Sequence, residues 1–440
     1  MRQTLFFVPH EILGIQLFGF GWLLVLWIIF AIAWLTWLVR KHGWNADTIG
    51  LLPFIGLVAI AIAFVIPRFE VTRPDGAILG LPIRGYGTFV LAGFSAGLGL
   101  AVHRASKQGI GPETIFSLAV WMFVAAFLGA RLFFVIEYWE DFREDTFRAT
   151  LIKIASIAEG GLVVYGALLA GLPALFLFCR KHGIAPLVLA DVVAPCLALG
   201  LALGRLGCLM NGCCYGGICE HGPVCIQFPK YNSVIQQSMS PPYLHQLTTG
   251  RLHGFVLGAD DPTREPRIQS VVAGGPAEEA GLKVGDRVSA INAERTPDEA
   301  AAMRILAKSG PKLVVETNDS RQLQWTIGSL PPHSLPVHPI QIYSAINALL
   351  LCMVLIFGEP FMRRTGEVLA WTLTLYPPLR FLEEIIRVDE VGQFGTNLSI
   401  SQLISLGVLA AAAGLWMYIL RNDPAQPRDD LDRKEHLSVA

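Results

Sequence analysis

Nine long apolar runs dominate this chain, at about 13–39, 50–66, 86–102, 115–136, 161–178, 187–209, 340–357, 367–386 and 401–420. A helix needs roughly 17 to 25 mostly apolar residues to cross a bilayer. Inside hydrocarbon, only helices and closed barrels satisfy their own backbone hydrogen bonds. The expectation is an all-α polytopic membrane protein with about nine transmembrane helices. The first run is too long for a signal-peptide core and has no basic start beyond Arg2, so it reads as a retained helix. Ten Trp and 25 Phe suit a protein with aromatic belts. A formal net charge of −1 gives no reason to expect nucleic acid as a partner.

Charge is concentrated in one place. Residues 250–330 carry 21 of the 69 charged side chains, so this stretch reads as a water-soluble insert between membrane segments. Arg40-Lys41, Arg104 and Lys107, Arg180-Lys181, Arg363-Arg364 and the tail from Arg421 fall on alternate sides of successive runs. They therefore share one face, which the positive-inside rule makes cytoplasmic. The N-terminus and the insert are then outside and the C-terminus inside. The polar end, 422–440, reads as a disordered cytoplasmic tail.

This orientation leaves Arg84, Arg131, Arg205, Arg380 and Arg387 at or just within the outward ends of spans, where arginine is disfavoured. Each alone reads as a snorkelling side chain. Five together suit a phosphate, which guanidinium forks grip in pairs. A phosphate at this depth belongs to a lipid headgroup, so the residues point to an anionic-phospholipid site. In the eighth run Tyr376, Arg380, Glu384 and Arg387 fall within one helical stripe of roughly 80°. Glu384 can pair with either arginine, and the bland reading is an ion pair between helices. Pro377-Pro378 is expected to kink this helix or delay its start, which would put Tyr376 on a bend.

The segment Gly204-Arg-Leu-Gly-Cys-Leu-Met-Asn-Gly-Cys-Cys-Tyr-Gly216 follows the sixth run; its glycines permit positive φ and close backbone approach. Irregular backbone at membrane depth is tolerated where it lines a cavity. Gly160-Gly-Leu-Val-Val-Tyr-Gly166 is a second glycine-rich entry, though small residues also serve helix packing. His338-Pro-Ile-Gln-Ile-Tyr343 opens the seventh run and offers donors to a headgroup, while a lone histidine there is also an ordinary structural group.

Taken in order, Arg84-Gly-Tyr86-Gly87, Gly160–Gly166, Gly204-Arg-Leu-Gly with Asn211-Gly212, His338–Tyr343 and Tyr376…Arg380…Glu384…Arg387 resemble the prolipoprotein diacylglyceryl transferase family. The resemblance covers roughly 82–245 and 333–421. It implies an enzyme of the bacterial inner membrane. Such an enzyme moves a diacylglyceryl group from phosphatidylglycerol to the lipobox cysteine of a secreted prolipoprotein, forming a thioether and releasing glycerol phosphate. It also implies a seven-span body with a small periplasmic head. Runs three to nine would be that body, and the first two, within 1–81, an addition.

By the same resemblance Arg205 grips the lipid phosphate and Arg380 stands at the reacting centre. Tyr86, Tyr376, Glu384 and Arg387 match further polar cavity positions, and Asn211 and Gly216 match the signature loop. This sequence departs from the family at three points. The usual His-Gly-Gly reads Tyr165-Gly166-Ala167, and Cys208 and Cys213 stand where Asn and Glu are usual. A mechanism with that histidine as base cannot be copied, which leaves Tyr165, Glu384 or His338 as proton acceptor. No cofactor is implied.

Within the insert, Val271–Asn292 resembles a PDZ domain: a strand before Gly275-Pro276, a helical turn, the turn Gly285-Asp286, then a strand. Asp298–Ala307 reads as the groove helix, and Lys312–Glu316 and Leu323–Ile327 as strands. This implies an α+β domain that binds an extended peptide at an open edge, with a carboxylate loop near Leu252–Phe255. A domain that merely caps the active site is the other reading. The organisation expected is 1–81 extra spans, 82–249 first part of the membrane core, 250–330 periplasmic insert and 331–421 second part of the core.

Of the eight cysteines, Cys179, Cys196 and Cys352 read as packing residues. Cys213, Cys214, Cys219 and Cys225 lie outside the membrane, where disulfides persist, with the pairing open. No metal site is expected, because the loop lacks paired CxxC spacing even with His221 nearby. A PDZ-bearing membrane protease is the main competing function, but HExxH is missing. A non-catalytic lipid-binding scaffold displaying a PDZ domain is the other alternative. No inverted repeat suggests a transporter.

Overall fold

A computed structural model describes residues 3–73, 75–144, 146–156, 163–220, 224–231, 239–258, 265–387, 396 and 398–422. The expected glycine entry at Gly160-Gly161, His221 and nearly all of the tail at 422–440 lie outside these. The principal helices are α1 (Trp22–His42), α2 (Leu52–Ile60), α3 (Gly85–Lys107), α4 (Pro112–Glu137), α5 (Val164–His182), α6 (Pro186–Asn211), α7 (Glu299–Lys308), α8 (Ile340–Gly358), α9 (Glu367–Ile386) and α10 (Ile400–Asn422).

Among the described residues seven helices are long and apolar enough to cross a membrane: α1, Thr48–Phe69, α3, α4, α6, Ile340–Phe361 and α10. Many of their large apolar side chains face outward. Leu26, Ile29, Phe30 and Ile32 of α1 are more than half exposed, an arrangement that suits lipid, not water. The chain is a multi-pass membrane protein. α5 and α9 occupy the fifth and eighth apolar runs as helices of 19 and 20 residues.

The first run behaves differently from expectation over 13–21. Gly14 and Gly19 adopt positive φ, and a short hairpin pairs Glu11–Ile12 with Ile15–Gln16 before α1 begins at Trp22. The second run is an α-helix that opens into a π-helical turn at Ala61–Val65 and tightens over Ile66–Phe69, where Pro67 ends it.

Two compact units divide the chain: Met1–Thr88 with Gly207–Gln341, and Phe89–Leu206 with Ile342–Ala440. In the first, strands β1 (Thr4–Val8), β2 (Val71–Thr72) and β3 (Ile78–Arg84) form an antiparallel sheet in the order β1-β3-β2. The insert adds β4 (Phe255–Gly258) paired with β5 (Arg267–Val271). It also holds a sheet of β6 (Val288–Ile291), β7 (Glu294–Arg295), β8 (Lys312–Thr317) and β9 (Gln322–Thr326) in the order β9-β8-β6-β7. Alternating burial along β8 places Leu313 and Val315 in a core with Phe255, Ile268, Val288, Ile291, Leu306 and Trp325. α7 carries Ala302, Met303 and Leu306 into the same core, and Asp298 caps its start by accepting from Ala301 N at 2.6 Å. Within Leu252–Phe255, His253 is buried, its Nε2 2.9 Å from Leu247 O and its ring 4.2 Å from that of Phe255.

In the second unit, glycines bring helix backbones together. A Cβ on Gly129 of α4 would lie 2.4 Å from Gly166 O of α5, and one on Gly93 of α3 would lie 3.0 Å from Gly200 O of α6. Ala194 and Ala198 of α6 pack with Leu351, Cys352 and Leu355 of α8 and Val368 of α9. Trp416 Nε1 of α10 donates to Thr374 Oγ1 of α9 at 3.1 Å. Asp191 accepts from Gly366 N and Leu369 N at 2.6 and 2.8 Å, capping α9 from a neighbouring helix. Arg104, counted above as a loop charge, is buried. It forks onto Glu359 at 2.6 and 3.1 Å and onto the carbonyls of Asp191 and Val192.

Candidate functional site

α6, α8 and α9 each contribute side chains to one small pocket, with Arg205, Ser344, Asn347, Tyr376, Arg380 and Glu383 among its lining residues. Pro377 and Pro378 lie inside α9 without breaking it, so Tyr376 and Arg380 share the lining as the stripe alone suggested. Proline at these positions removes backbone N–H groups, and the side chains of Thr372 and Thr374 bond back to carbonyls one turn earlier.

The cavity's charges are arranged unequally. Arg380 forms an ion pair with Glu384 and donates to Ser401 Oγ at 3.1 Å. Arg387 stands 3.8 Å from the same Glu384 carboxylate. The Glu384 side chain is only 2% exposed, so two guanidiniums hold it in place. Arg205 is half-buried and, among the described residues, makes no hydrogen bond or ion pair. A half-buried guanidinium with no partner is costly unless an anion completes it.

Glu383 escaped the sequence reading. It is buried, and its carboxylate accepts from Ser344 Oγ at 2.5 Å and Asn347 Nδ2 at 2.7 Å. The signal was present, since Glu383 lies seven residues after Tyr376 and hence on the same stripe, while Ser344 and Asn347 are three apart on α8. Arg131, by contrast, does not belong with the other arginines. It is buried and donates to the carbonyls of Lys153, Ile154 and Ser156, closing the end of the helix Phe147–Ala155. Its guanidinium also stands 5.1 Å from the Phe142 ring centre.

The remaining expected residues lie in the first unit, apart from Tyr165, which is in α5 with its side chain outside the description. Arg84 and Tyr86 are exposed where β3 runs into α3. Asn211 ends α6 and accepts from Gln3 Nε2 at 2.6 Å. The signature loop is laced to the approach to α8. Gly216 N donates to His338 O at 2.9 Å, His338 N to Gly217 O at 3.0 Å, and Ile226 N to Val337 O at 3.1 Å. A Cβ on Gly216 would meet His338 Cβ at 2.8 Å, so close approach requires glycine here. Gln341 is fully buried and donates to Cys213 O at 2.6 Å.

Cys219 and Cys225 form a disulfide, which resolves the open pairing. Cys208, Cys213 and Cys214 stand outside that disulfide, and their sulfurs lie within 4.8 Å of one another. Spacing alone did not suggest this cluster, because the turn at Gly212, with φ of +77°, folds the loop back on the end of α6.

Fold and site together define a multi-pass helical membrane protein with an arginine-lined cavity suited to an anion. The family model for prolipoprotein diacylglyceryl transferase matches residues 76–275 and 280–418. The phosphatidylglycerol–prolipoprotein diacylglyceryl transferase of Rhodopirellula baltica is 36% identical, covering 94% of this chain and 88% of that protein. Those of Gloeobacter violaceus and Acaryochloris marina are 39% and 35% identical over 31% and 35% of this chain, and 49% and 53% of their own lengths. The chain belongs to the prolipoprotein diacylglyceryl transferase family.

Proposed function

We propose that this protein transfers the diacylglyceryl group of phosphatidylglycerol to the cysteine sulfhydryl of a prolipoprotein. The observation that carries this reading is Arg205, a half-buried guanidinium that has no counter-ion among the described residues and lines the same pocket as Arg380. The cysteine sulfur attacks the glycerol carbon next to the phosphoester. The S–C bond forms as the C–O bond breaks, and the electron pair leaves on the oxygen of glycerol phosphate. Charge develops on that leaving group, and fixed guanidiniums in a water-poor cavity stabilise it. Arg205 and Arg380 take this role, and Arg387 and Tyr376 complete the headgroup's surroundings. Glu384 holds Arg380 and Arg387, and Glu383 holds Ser344 and Asn347. Tyr86, Asn211 and Gly216 belong to the lipid site by family resemblance. The thiol proton passes to Tyr165, Glu384 or His338.

α5 and α9 complete nine spans in this reading. The protein sits in a bacterial inner membrane with its N-terminus and insert in the periplasm and its C-terminus in the cytoplasm. The insert is PDZ-like and takes an extended peptide. The decisive experiment supplies membranes containing the protein with labelled phosphatidylglycerol and a lipobox peptide. Label should move to the peptide cysteine and glycerol phosphate should appear in equal amount. Normal transfer by Arg205→Ala would remove the mechanism.

A further inference from the structure

Of the six cysteines outside the disulfide, three are gathered in one place. Cys208 opens the last turn of α6, and Gly212 N and Cys213 N both return to its carbonyl, at 2.9 and 3.1 Å. This turn brings positions 208, 213 and 214 together although they are five and six residues apart. Cys214 is held at a φ of +58°, a conformation that non-glycine residues rarely adopt and that clusters at ligand clamps and active sites. Buried Gln341 fixes the carbonyl of Cys213, and the Gly216–His338 pairing anchors the next turn. All three cysteines are half-buried, so their sulfurs are neither packed away like Cys179 and Cys352 nor left fully in water.

A tetrahedral ion with metal–sulfur bonds of about 2.3 Å sets its sulfurs about 3.8 Å apart, which this cluster can meet. Thiolates select soft and borderline ions. Three protein ligands with one open position are the pattern of zinc sites that act on an outside ligand. We propose that Cys208, Cys213 and Cys214 bind one thiophilic metal ion of the Zn²⁺ type and leave its fourth position to an exogenous thiolate. A metal favours loss of the proton from the thiol it binds, which passes to the acceptor named above, and leaves the thiolate nucleophilic. Only the identity of that thiol, a peptide cysteine, rests on the transferase reading.

The test uses the full chain, reduced and purified anaerobically in detergent, then titrated with Co²⁺. About one Co²⁺ per chain should bind with a thiolate-to-cobalt charge-transfer band, and Zn²⁺ should displace it. Loss of an outer partner costs about 10- to 100-fold in metal affinity, so Gln341→Leu should weaken binding by that much and Cys208→Ser or Cys213→Ser by more. Cys352→Ser should bind normally. In the unaltered protein Zn²⁺ should shield these three thiols from maleimide, a readout that needs no variant. A cysteine peptide should shift the cobalt spectrum and its serine counterpart should not. The site is overturned by no band, by a band that survives the triple serine variant, or by a disulfide between any two of the three in unreduced protein. A spectrum unmoved by the cysteine peptide overturns the open position. Metal binding without lipid transfer would refute the transferase reading alone, and transfer with no metal bound would refute this inference alone.

Discussion

Arg205 and Arg380 line the same cavity under different constraints. Arg380 already has Glu384 and Ser401, whereas Arg205 has no partner among the described residues. Removing a fixed donor to developing charge costs about 10²- to 10³-fold in rate. Arg205→Ala should lose that much transfer, and Arg205→Lys should recover part of it because charge returns without the fork. Initial rates with labelled phosphatidylglycerol measure both. Gly216 has a structural task. Its missing Cβ leaves room for His338, so Gly216→Ala should lower stability by about 1 to 3 kcal/mol, read as a lower melting temperature in detergent. Residue by residue, the sequence singled out Arg205, Arg380 and Glu384 because charge at membrane depth is conspicuous, and Tyr376 by its place on the same stripe; of these, Arg205, Tyr376 and Arg380 line one pocket. Glu383 lies on the Tyr376 stripe, but its pairing was not readable, because Ser344 and Asn347, which hold it, come from another helix. Arg131 misled because carbonyl capping leaves no pattern in the sequence.

At the level of elements, the insert's helices and strands were readable from turn glycines and alternating apolar positions, as β8 shows. The role of His253 was not, since nothing local says that Phe255 and Leu247 enclose it. Burial pushes its imidazole down to about 4 from the ordinary 6.5. The unfolded chain therefore takes up a proton at this position below pH 6.5, while the folded chain does so only near 4. Stability should fall as pH drops through that window, by about 3 kcal/mol in all from this group. His253→Phe should flatten the dependence, and urea midpoints of the full chain between pH 4 and 7 would show it. Asp191 makes the matching case for a membrane helix. Asp191→Ala leaves the N–H groups of Gly366 and Leu369 unmet and should destabilise α9 by about 0.5 to 2 kcal/mol, measurable as a lower melting temperature.

For the whole molecule, hydropathy alone separated membrane segments from the charged insert, because hydrocarbon excludes unpaired backbone. It placed the start of the first helix too early, since it cannot see that Gly14 and Gly19 turn the chain before Trp22. The division of the chain into two units, each built from discontinuous stretches, was likewise not visible in any single run. The orientation proposed from basic loops predicts that cysteines introduced near Arg180 and Arg363 resist a membrane-impermeant maleimide in intact cells, while ones placed in β7 react.

The Cys219–Cys225 bond also acts as a compartment record. A dithiol exposed to glutathione is kept open, whereas one delivered to an oxidising space closes. The oxidation state of this pair, trapped by acid quench in living cells, therefore reports how each molecule was threaded during biogenesis.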